Sequence, residues 1–149
     1  MYTLSETSLK MLKGVHPNLV NFMTELIKIS PWDFKITAGV RTAAEQNLEY
    51  QKGRTAPGSK VTKVDGYKLK SNHQIKFDGL GYAADIGVIV NGEYKGNWKD
   101  FHYYQDIYNI AKKAGLLEKY GIEWGGNCWK TFKDGPHWQI KGADRVAYK

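Results

Sequence analysis

Cysteine is almost absent from this sequence, in which Cys128 is the single thiol. One cysteine cannot form an internal disulfide and cannot supply a Cys-x-x-Cys metal site, so disulfide scaffolds and cysteine-based zinc modules are excluded. No histidine in the nearby sequence is placed to activate this thiol, which predicts an ordinary cysteine rather than a nucleophile.

Long apolar runs are also missing. No stretch approaches the roughly 20 apolar residues of a membrane span, and residues 1–6 lack the basic start and apolar segment of a secretory signal. We therefore expect a soluble protein made in the cytoplasm, without stable membrane association. A chain of 149 residues can bury one core, so we expect residues 1–149 to form a single domain.

Arginine is scarce although the chain is basic. The formal net charge is +7, yet Arg41, Arg54 and Arg145 are the only arginines among 22 basic residues. Proteins that read nucleic acids usually carry clustered arginine within a recognisable motif, so we do not expect a nucleic-acid partner. The excess of scattered lysine leaves an acidic membrane surface or an anionic polymer such as a cell wall as candidate partners.

Helical signals lie in both halves of the chain. One helix is predicted over residues 5–12, and a second begins at Pro17. A third runs from a Thr42–Glu45 capping box to Gly53, and a fourth runs from an Asp100 cap to Gly115. In the second of these, apolar residues recur at helical spacing, which predicts a helix facing the core. They are Leu19, Phe22, Met23, Leu26 and Ile27.

Strand signals fall between and after these helices. Strands are predicted over residues 34–40, 83–90, 122–124 and 137–140, with an Asn91-Gly92 turn leading into a hairpin. The last two should bracket a glycine-rich loop, and residues 54–70 read as a long loop. Helices followed by mixed strands are typical of the α+β class.

Two polar clusters carry the chemistry. One runs from Ser71 to Asp85 and includes His73; the other contains Asp134 and His137. Two imidazoles and one carboxylate are the ligands of many catalytic zinc centres, and a further acid beside them can act as a base. A carboxylate within an apolar strand, as Asp85 is, must be paired, hydrogen-bonded or bound to metal.

Each of these residues also has an ordinary structural interpretation. His73 would then be a hydrogen-bonded surface histidine, and Asp85 the partner of a lysine or arginine or an outward-facing strand residue. Asp134 would simply form an Asp-Gly turn, and the two tryptophans that flank the second cluster would be core aromatics. The residue types alone leave these alternatives open.

Four ordered motifs resemble a known family. They are Gly39-Val40-Arg41-Thr42 with Gln46, the segment from Gly53 to Gly58, Ser71-Asn72-His73-Gln74 through Gly81-Tyr82-Ala83-Ala84-Asp85, and Glu123-Trp124-Gly125-Gly126 ahead of Asp134-Gly135-Pro136-His137. Together they resemble the zinc peptidases of peptidoglycan, which include D-alanyl-D-alanine peptidases and the L-alanyl-D-glutamate peptidases of phage endolysins. The resemblance implies an α+β domain, a small antiparallel sheet packed against helices, as also found in hedgehog signalling domains.

The resemblance also implies site roles. His73, Asp85 and His137 would bind one Zn²⁺ ion, and Asp134 would be the catalytic base. Arg41 would contact the substrate or steady the oxyanion, unless it is a structural salt-bridge residue. The residues that would line the substrate cleft are Gln46, Ser71 and Trp124; the alternatives are a solvated helix face for Gln46 and a core position for Trp124.

Two departures from the family pattern stand out. The family usually places the carboxylate ligand closer to the first histidine, whereas twelve residues separate His73 from Asp85 here. The extra residues fall within residues 75–80 and leave Asp78 as a competing ligand, although the Gly-x-Ala-x-Asp pattern favours Asp85. Gln139 stands where close endolysin relatives tend to carry an acid, which suggests an altered substrate preference.

The expected function is that of a phage endolysin. It would cut the L-alanyl-D-glutamate bond of the peptidoglycan stem peptide as a monomer without a separate wall-binding domain, after synthesis in the host bacterial cytoplasm and release through the membrane. A D-alanyl-D-alanine carboxypeptidase and a non-catalytic metal-binding module of the same fold are the alternatives.

Overall fold

The computed structural model of the protein describes residues 1–128 and 133–149. The helices in these ranges are α1 (Glu6–Met11), α2 (Pro17–Ile29), α3 (Ala43–Gln51), α4 (Phe101–Lys113), α5 (Leu116–Tyr120) and α6 (Gly125–Cys128). The strands are β1 (Asp33–Ala38), β2 (Ala83–Val90), β3 (Glu93–Lys95), β4 (Ile122–Trp124) and β5 (His137–Ile140). Short 3-10 turns cover Trp98–Asp100 and Ala143–Arg145.

The strands form one small sheet in the order β1-β2-β5-β4, and β3 pairs with β2 as its hairpin partner. The strand pairs are antiparallel. Helices packed against a small antiparallel sheet confirm the predicted α+β class. Within the described ranges, no helix combines the length and the apolar character needed to cross a bilayer.

The core lies between the helices and one face of the sheet. The five apolar residues predicted for α2 are all buried, and they belong to one cluster with Ala84, Ile86 and Val88 of β2. The rings of Phe22 and Trp138 lie 5.4 Å apart, centroid to centroid, within this cluster. Because alternate residues of a strand point to opposite faces, Asp85 lies on the other side of β2 from this core.

Local signals set most of the element boundaries. The Thr42 hydroxyl accepts from the backbone N–H of Glu45, and the Glu45 carboxylate accepts from that of Thr42, which is the predicted capping box. Asp100 instead accepts from the backbone N–H of Asn97, so its side chain closes the preceding 3-10 turn. Asp100 is the N-cap residue of α4, as predicted, but its side chain makes no capping hydrogen bond to this helix.

The second half differs from the prediction in two further places. Between Gly115 and Gly121, both with left-handed backbone conformation, the chain forms the unpredicted helix α5. The predicted glycine-rich loop begins instead as α6, and its residues 129–132 lie outside the described part of the chain. The side chain of Cys128, expected to be an ordinary thiol, also lies outside that part. Residues 54–70 contain no helix or ladder strand, as predicted.

Candidate metal centre

Three side chains from distant parts of the sequence converge on the polar face of the sheet. Asp85 on β2 and His137 on β5 are directly opposite in the antiparallel ladder, and His73 reaches them from the loop before β2. Asp85 Oδ1 lies 3.1 Å from His137 Nδ1 and 3.3 Å from His73 Nε2. One potential ligand atom from each residue lies within 4.8 Å of the other two, so this group could hold a metal ion.

His73 is oriented by the backbone that follows β1. Its Nδ1 lies 2.8 Å from the carbonyl oxygen of Gly39, and since a carbonyl only accepts, Nδ1 carries the proton. The backbone N–H of Arg41 donates to the carbonyl of His73 over 2.9 Å, which fixes the two segments side by side. Nε2, the other ring nitrogen, faces Asp85, and burial lowers the pKa of His73, which favours release of a proton to a bound metal ion.

Gly39 is required for this arrangement. A Cβ at this position would lie 2.0 Å from the carbonyl oxygen of Met11. The close approach of α1 to this backbone therefore excludes any side chain there. The carbonyl that holds His73 is thus placed by packing against the first helix.

The pKa values of Asp85 and His137 are shifted in opposite directions. Burial by itself raises the pKa of Asp85, but the charges and hydrogen bonds of His73 and His137 outweigh it, and the pKa lies well below its usual value. Burial lowers the pKa of His137, yet the hydrogen bond and charge of Asp85 raise it overall. A metal ion bound between these residues would therefore compete with a proton on His137.

The donor set fits a divalent metal. A lone pair of His73, a carboxylate oxygen and a ring nitrogen of His137 face one point, where only a cation or a proton relieves their mutual repulsion. The side chains of Asp85 and Arg41 remain 18% and 19% exposed, whereas those of the two histidines are almost fully covered. Three protein ligands and one accessible side are typical of catalytic rather than structural metal sites.

Arg41 borders the open side. Its Nη2 lies 3.3 Å from Asp85 Oδ2, and its Nη1 donates to Gln46 Oε1 over 3.1 Å. Gln46 is itself buried, and its amide nitrogen donates to the carbonyl of Val64. Gln46 therefore does not form the solvated helix face considered for it; it orients the guanidinium of Arg41, and its role in lining the cleft stays a prediction.

Asp134 lies in the turn that leads into β5. Its carbonyl accepts from the backbone N–H of His137 over 3.2 Å, and its own N–H donates to Gly125. Burial raises the pKa of Asp134 to about 6, and the charge of Asp85 adds to the rise, so this carboxyl belongs electrostatically to the site. A Cβ on Gly125 would lie 2.6 Å from the carbonyl oxygen of Asp134, so only glycine permits this approach.

Trp124 supports this turn from the core. The indole is 2% exposed and stacks on Tyr108 with ring centroids 4.6 Å apart. Its Nε1–H donates to the carbonyl of Gly135 over 2.6 Å, beside Asp134. Trp124 thus occupies the core position that was the alternative for it, and its role in lining the substrate cleft stays a prediction.

The remaining predicted residues lie close to the metal ligands. The hydroxyl of Ser71 accepts from the backbone N–H of His73 over 3.1 Å, and Ser71 is half-buried; its substrate role stays a prediction. Asp78, the possible rival ligand, accepts instead from the Tyr82 hydroxyl and the Leu80 N–H. Among the described residues, the carboxylate that joins the histidines is Asp85.

Two polar residues behind His137 were not predicted as part of the site. Gln139 Oε1 lies 2.8 Å from His137 Nε2, and the amide nitrogen of Gln139 donates to Glu123 over 2.7 Å. Strand alternation is the signal that could have found this contact, because residues two apart on a strand share a face. The side chain of Gln139 is 1% exposed and contacts a candidate metal ligand. It therefore has almost no surface with which to contact a substrate and change substrate preference directly.

Comparison with known proteins agrees with this geometry. The family model described as phage L-alanyl-D-glutamate peptidase matches residues 1–140. The chain belongs to this family. The resemblance predicted from the motifs is thereby confirmed, and with it membership of a group of peptidases.

Individual relatives point the same way. The peptidoglycan L-alanyl-D-glutamate endopeptidase CwlK of Bacillus subtilis is 35% identical over 108 residues, which are 72% of this chain and 60% of that protein. The L-alanyl-D-glutamate peptidase of Escherichia phage T5 is 26% identical over 132 residues, 85% of this chain and 84% of that one. The chain therefore spans three fifths of the Bacillus relative and most of the phage protein.

A solved structure shares the whole fold. The crystal structure of the Serratia marcescens L-Ala D-Glu endopeptidase ChiX matches with a TM-score of 0.68 and 28% identity. The match covers 97% of this chain and 93% of that one. The antiparallel sheet with its helices is thus the architecture of a known endopeptidase.

Proposed function

We propose that this protein is a zinc-dependent endopeptidase that hydrolyses the L-alanyl-D-glutamate bond of peptidoglycan stem peptides. The observation that carries the proposal is the convergence of one ligand atom each from His73, Asp85 and His137 within 4.8 Å, in a chain of the L-alanyl-D-glutamate peptidase family. Residues 1–149 form a single catalytic domain in this proposal.

Zinc is the proposed ion because two imidazoles and a carboxylate are a common ligand set of catalytic zinc. When bound, Zn²⁺ supplies a Lewis acid that lowers the pKa of a water molecule and polarises a carbonyl group. His73 from the loop before β2, Asp85 from β2 and His137 from β5 would hold the ion. The buried histidines keep water away from two sides of the site.

Asp134 is the proposed general base. Its carboxyl lies beside the charges of Asp85, His137 and Arg41, and it has no part in the group of candidate ligands among the described residues. It takes the proton of the attacking water and returns it to the leaving amine, so one carboxylate serves both halves of the hydrolysis. The turn held by Gly125 and Trp124 keeps it beside the ligands.

Arg41 is the proposed electrostatic stabiliser. Its guanidinium is held by Asp85 and Gln46 and remains partly exposed on the accessible side. A fixed positive charge at that place stabilises the negative charge that develops on the substrate carbonyl oxygen. Its rigid attachment means that little reorganisation is needed during the reaction.

The proposed setting is the lysis of a bacterial host by a phage. The protein would be made in the host cytoplasm, act as a monomer, and reach the cell wall once the membrane is opened, without any nucleic-acid partner. A net charge of +7 favours association with an anionic wall, and this attraction should weaken as the salt concentration rises. The relative from Escherichia phage T5 supports this setting.

The test is mass spectrometry of purified peptidoglycan digested with the protein, with and without a zinc chelator. We expect a new L-alanine C-terminus and a matching D-glutamate N-terminus, both lost on chelation and restored by zinc. Release of D-alanine alone would overturn the proposal in favour of a carboxypeptidase. No cleavage by the zinc-loaded protein would overturn the proposal in favour of a non-catalytic metal-binding module.

A further inference from the structure

Gln139 is a buried polar residue that neither the family match nor the proposed reaction uses. It follows His137 by two residues on β5, so both side chains point to the polar face of the sheet. Its Oε1 lies 2.8 Å from Nε2 of the imidazole, on the side of the ring away from Asp85. The orientation of the Gln139 amide determines which of the two residues donates this hydrogen bond.

Glu123 fixes the orientation of the Gln139 amide. The two residues are directly opposite on β4 and β5, and the amide nitrogen of Gln139 lies 2.7 Å from Glu123 Oε1. An ionised carboxylate only accepts hydrogen bonds, so the atom facing it must be the NH₂ group. The oxygen of the amide therefore faces His137 and can only accept.

A second chain of contacts fixes the same orientation from the other side. The ammonium of Lys76, which only donates, lies 2.8 Å from Asn72 Oδ1. The NH₂ group of Asn72 must then face the opposite way, and it donates to Gln139 Oε1 over 3.2 Å and to Asp144 Oδ1 over 2.7 Å. Lys76 at one end of the network and Glu123 at the other thus determine which side-chain atoms donate and which accept in the hydrogen bonds between them.

We propose that Gln139 is a positioning residue whose side-chain oxygen accepts the Nε2–H of His137 and thereby reserves Nδ1 of that imidazole for the metal ion. The inference rests on the proposed metal site and deepens it. An imidazole binds metal through one nitrogen, and the hydrogen bond made by the other decides which one. Nδ1 is also the nitrogen that lies 3.1 Å from Asp85 Oδ1, at the point of convergence.

The same geometry explains why an amide suits this position. A carboxylate here would lie directly across the strands from Glu123, and like charges directly opposite in a sheet repel. An amide accepts from the imidazole with its oxygen and satisfies Glu123 with its nitrogen. Gln139 therefore meets both neighbours without adding a negative charge behind the metal ligands.

The test uses the zinc-loaded protein and needs no substrate. Long-range nitrogen–proton NMR correlations of the imidazole rings identify the metal-bound nitrogen, and competition with a chromophoric chelator gives the zinc affinity. For the wild type we expect zinc on Nδ1 of His137 and a slowly exchanging proton on Nε2. Zinc on Nε2 would overturn the proposal whatever the variants do.

Two substitutions separate hydrogen bonding from packing. Gln139→Met keeps the length of the side chain but removes the acceptor, so we expect zinc affinity to fall by about 10-fold to 100-fold and the Nε2 proton to exchange faster. Gln139→Glu keeps an acceptor, so it should retain the Nε2 proton and bind zinc more tightly than Gln139→Met, although repulsion from Glu123 lowers its stability. Equal zinc affinity in the Met variant and the wild type would overturn the proposal.

A matched control is the Gln74→Met variant. Gln74 is also a buried glutamine, but its amide bonds to the backbone of Ser71 and Gly66 and does not touch His137. The His137 nitrogen and proton signals should stay as in the wild type. If Gln139→Met fails to fold, the nitrogen assignment in the wild type still decides the proposal. Failure to cleave peptidoglycan would count against the proposed function and leave these zinc measurements unaffected.

Discussion

Asp85 and His137 are partners across the ladder between β2 and β5, with 3.1 Å between Oδ1 and Nδ1. Two of the three candidate ligands are thus fixed to each other by sheet register, whereas His73 is placed by hydrogen bonds between two loop segments. A one-residue slip of β5 would move His137 to the core face and Trp138 to the polar face. The burial of Trp138 in the core therefore also secures the metal centre.

Replacing ligands and base should separate metal binding from turnover. We expect His73→Ala and His137→Ala to lose both bound zinc and activity, because each removes a ligand. Asp134→Ala should keep zinc and lose at least about 100-fold in turnover, since it removes only proton transfer. Zinc content by atomic absorption, with the cleavage rate on the same samples, checks this. Equal zinc loss in all three variants would contradict the division of roles.

The metal-free protein should show a pH-dependent stability that traces to Asp134. Burial raises the pKa of this carboxyl from 3.8 to about 6 in the folded state. A raised folded-state pKa means that the stabilisation from the protonated form is complete below about pH 4 and is lost as the pH rises through 6. Urea unfolding of the metal-free protein between pH 4 and 7 should show this decline.

The isosteric Asp134→Asn variant is the control for that experiment, because its amide does not titrate. Its stability should lack the decline seen for the wild type in this range. An identical pH slope in both proteins would assign the effect to other groups. Adding zinc to the wild type should reduce the decline, since a nearby cation favours the ionised carboxylate.

Local patterns predicted the elements because they depend on neighbouring residues alone. The apolar spacing after Pro17 and the Thr42–Glu45 capping box are complete within one or two helical turns, and both appear as expected. Helix α5 was missed because its five residues are too short for a periodic pattern. Asp100 is the N-cap residue of α4, but its carboxylate bonds to Asn97, three residues earlier, and not to the helix.

The grouping of His73, Asp85 and His137 was predictable for a different reason. A carboxylate within an apolar strand and two histidines in ordered motifs are unusual enough to stand out in one sequence. The burial of Gln46 and Trp124 was not predictable, because residue type does not reveal which face of an element it occupies. The contact between Gln139 and His137 also needs the register of β4 against β5, which no local pattern contains.

Arg41 should affect catalysis more than folding. In Arg41→Lys the charge remains, but a single ammonium cannot bond to Asp85 and Gln46 in the same fork geometry. We expect zinc content to stay and the turnover number to fall about 10-fold to 100-fold; in Arg41→Met the loss should reach about 100-fold to 1,000-fold. Steady-state kinetics on a defined muropeptide measure both. The exposed Arg145→Lys change is a control that should leave the rate unchanged.

If Arg41 were only a structural salt-bridge residue, the pattern would be different. Both variants would then lower the free energy of unfolding and the zinc affinity while the zinc-loaded fraction kept its turnover number. Measuring the turnover number per bound zinc distinguishes the two cases. The hydrogen bond from Nη1 to the buried Gln46 predicts that Gln46→Met gives a smaller loss of the same kind, because it frees the guanidinium without removing it.

Lys76 should stabilise the segment inserted between His73 and Asp85. Its ammonium donates to Asn72 Oδ1 and to the carbonyl of Ala143, and lies 3.7 Å from the centre of the Tyr148 ring. Lys76→Met keeps the apolar stem but leaves both oxygens without this donor, so unfolding in urea should become easier by about 1–3 kcal/mol. Lys70→Met, an exposed change beside the same ring, should cost less than about 0.5 kcal/mol. Equal effects of the two changes would mean that the buried ammonium contributes no more than a surface charge.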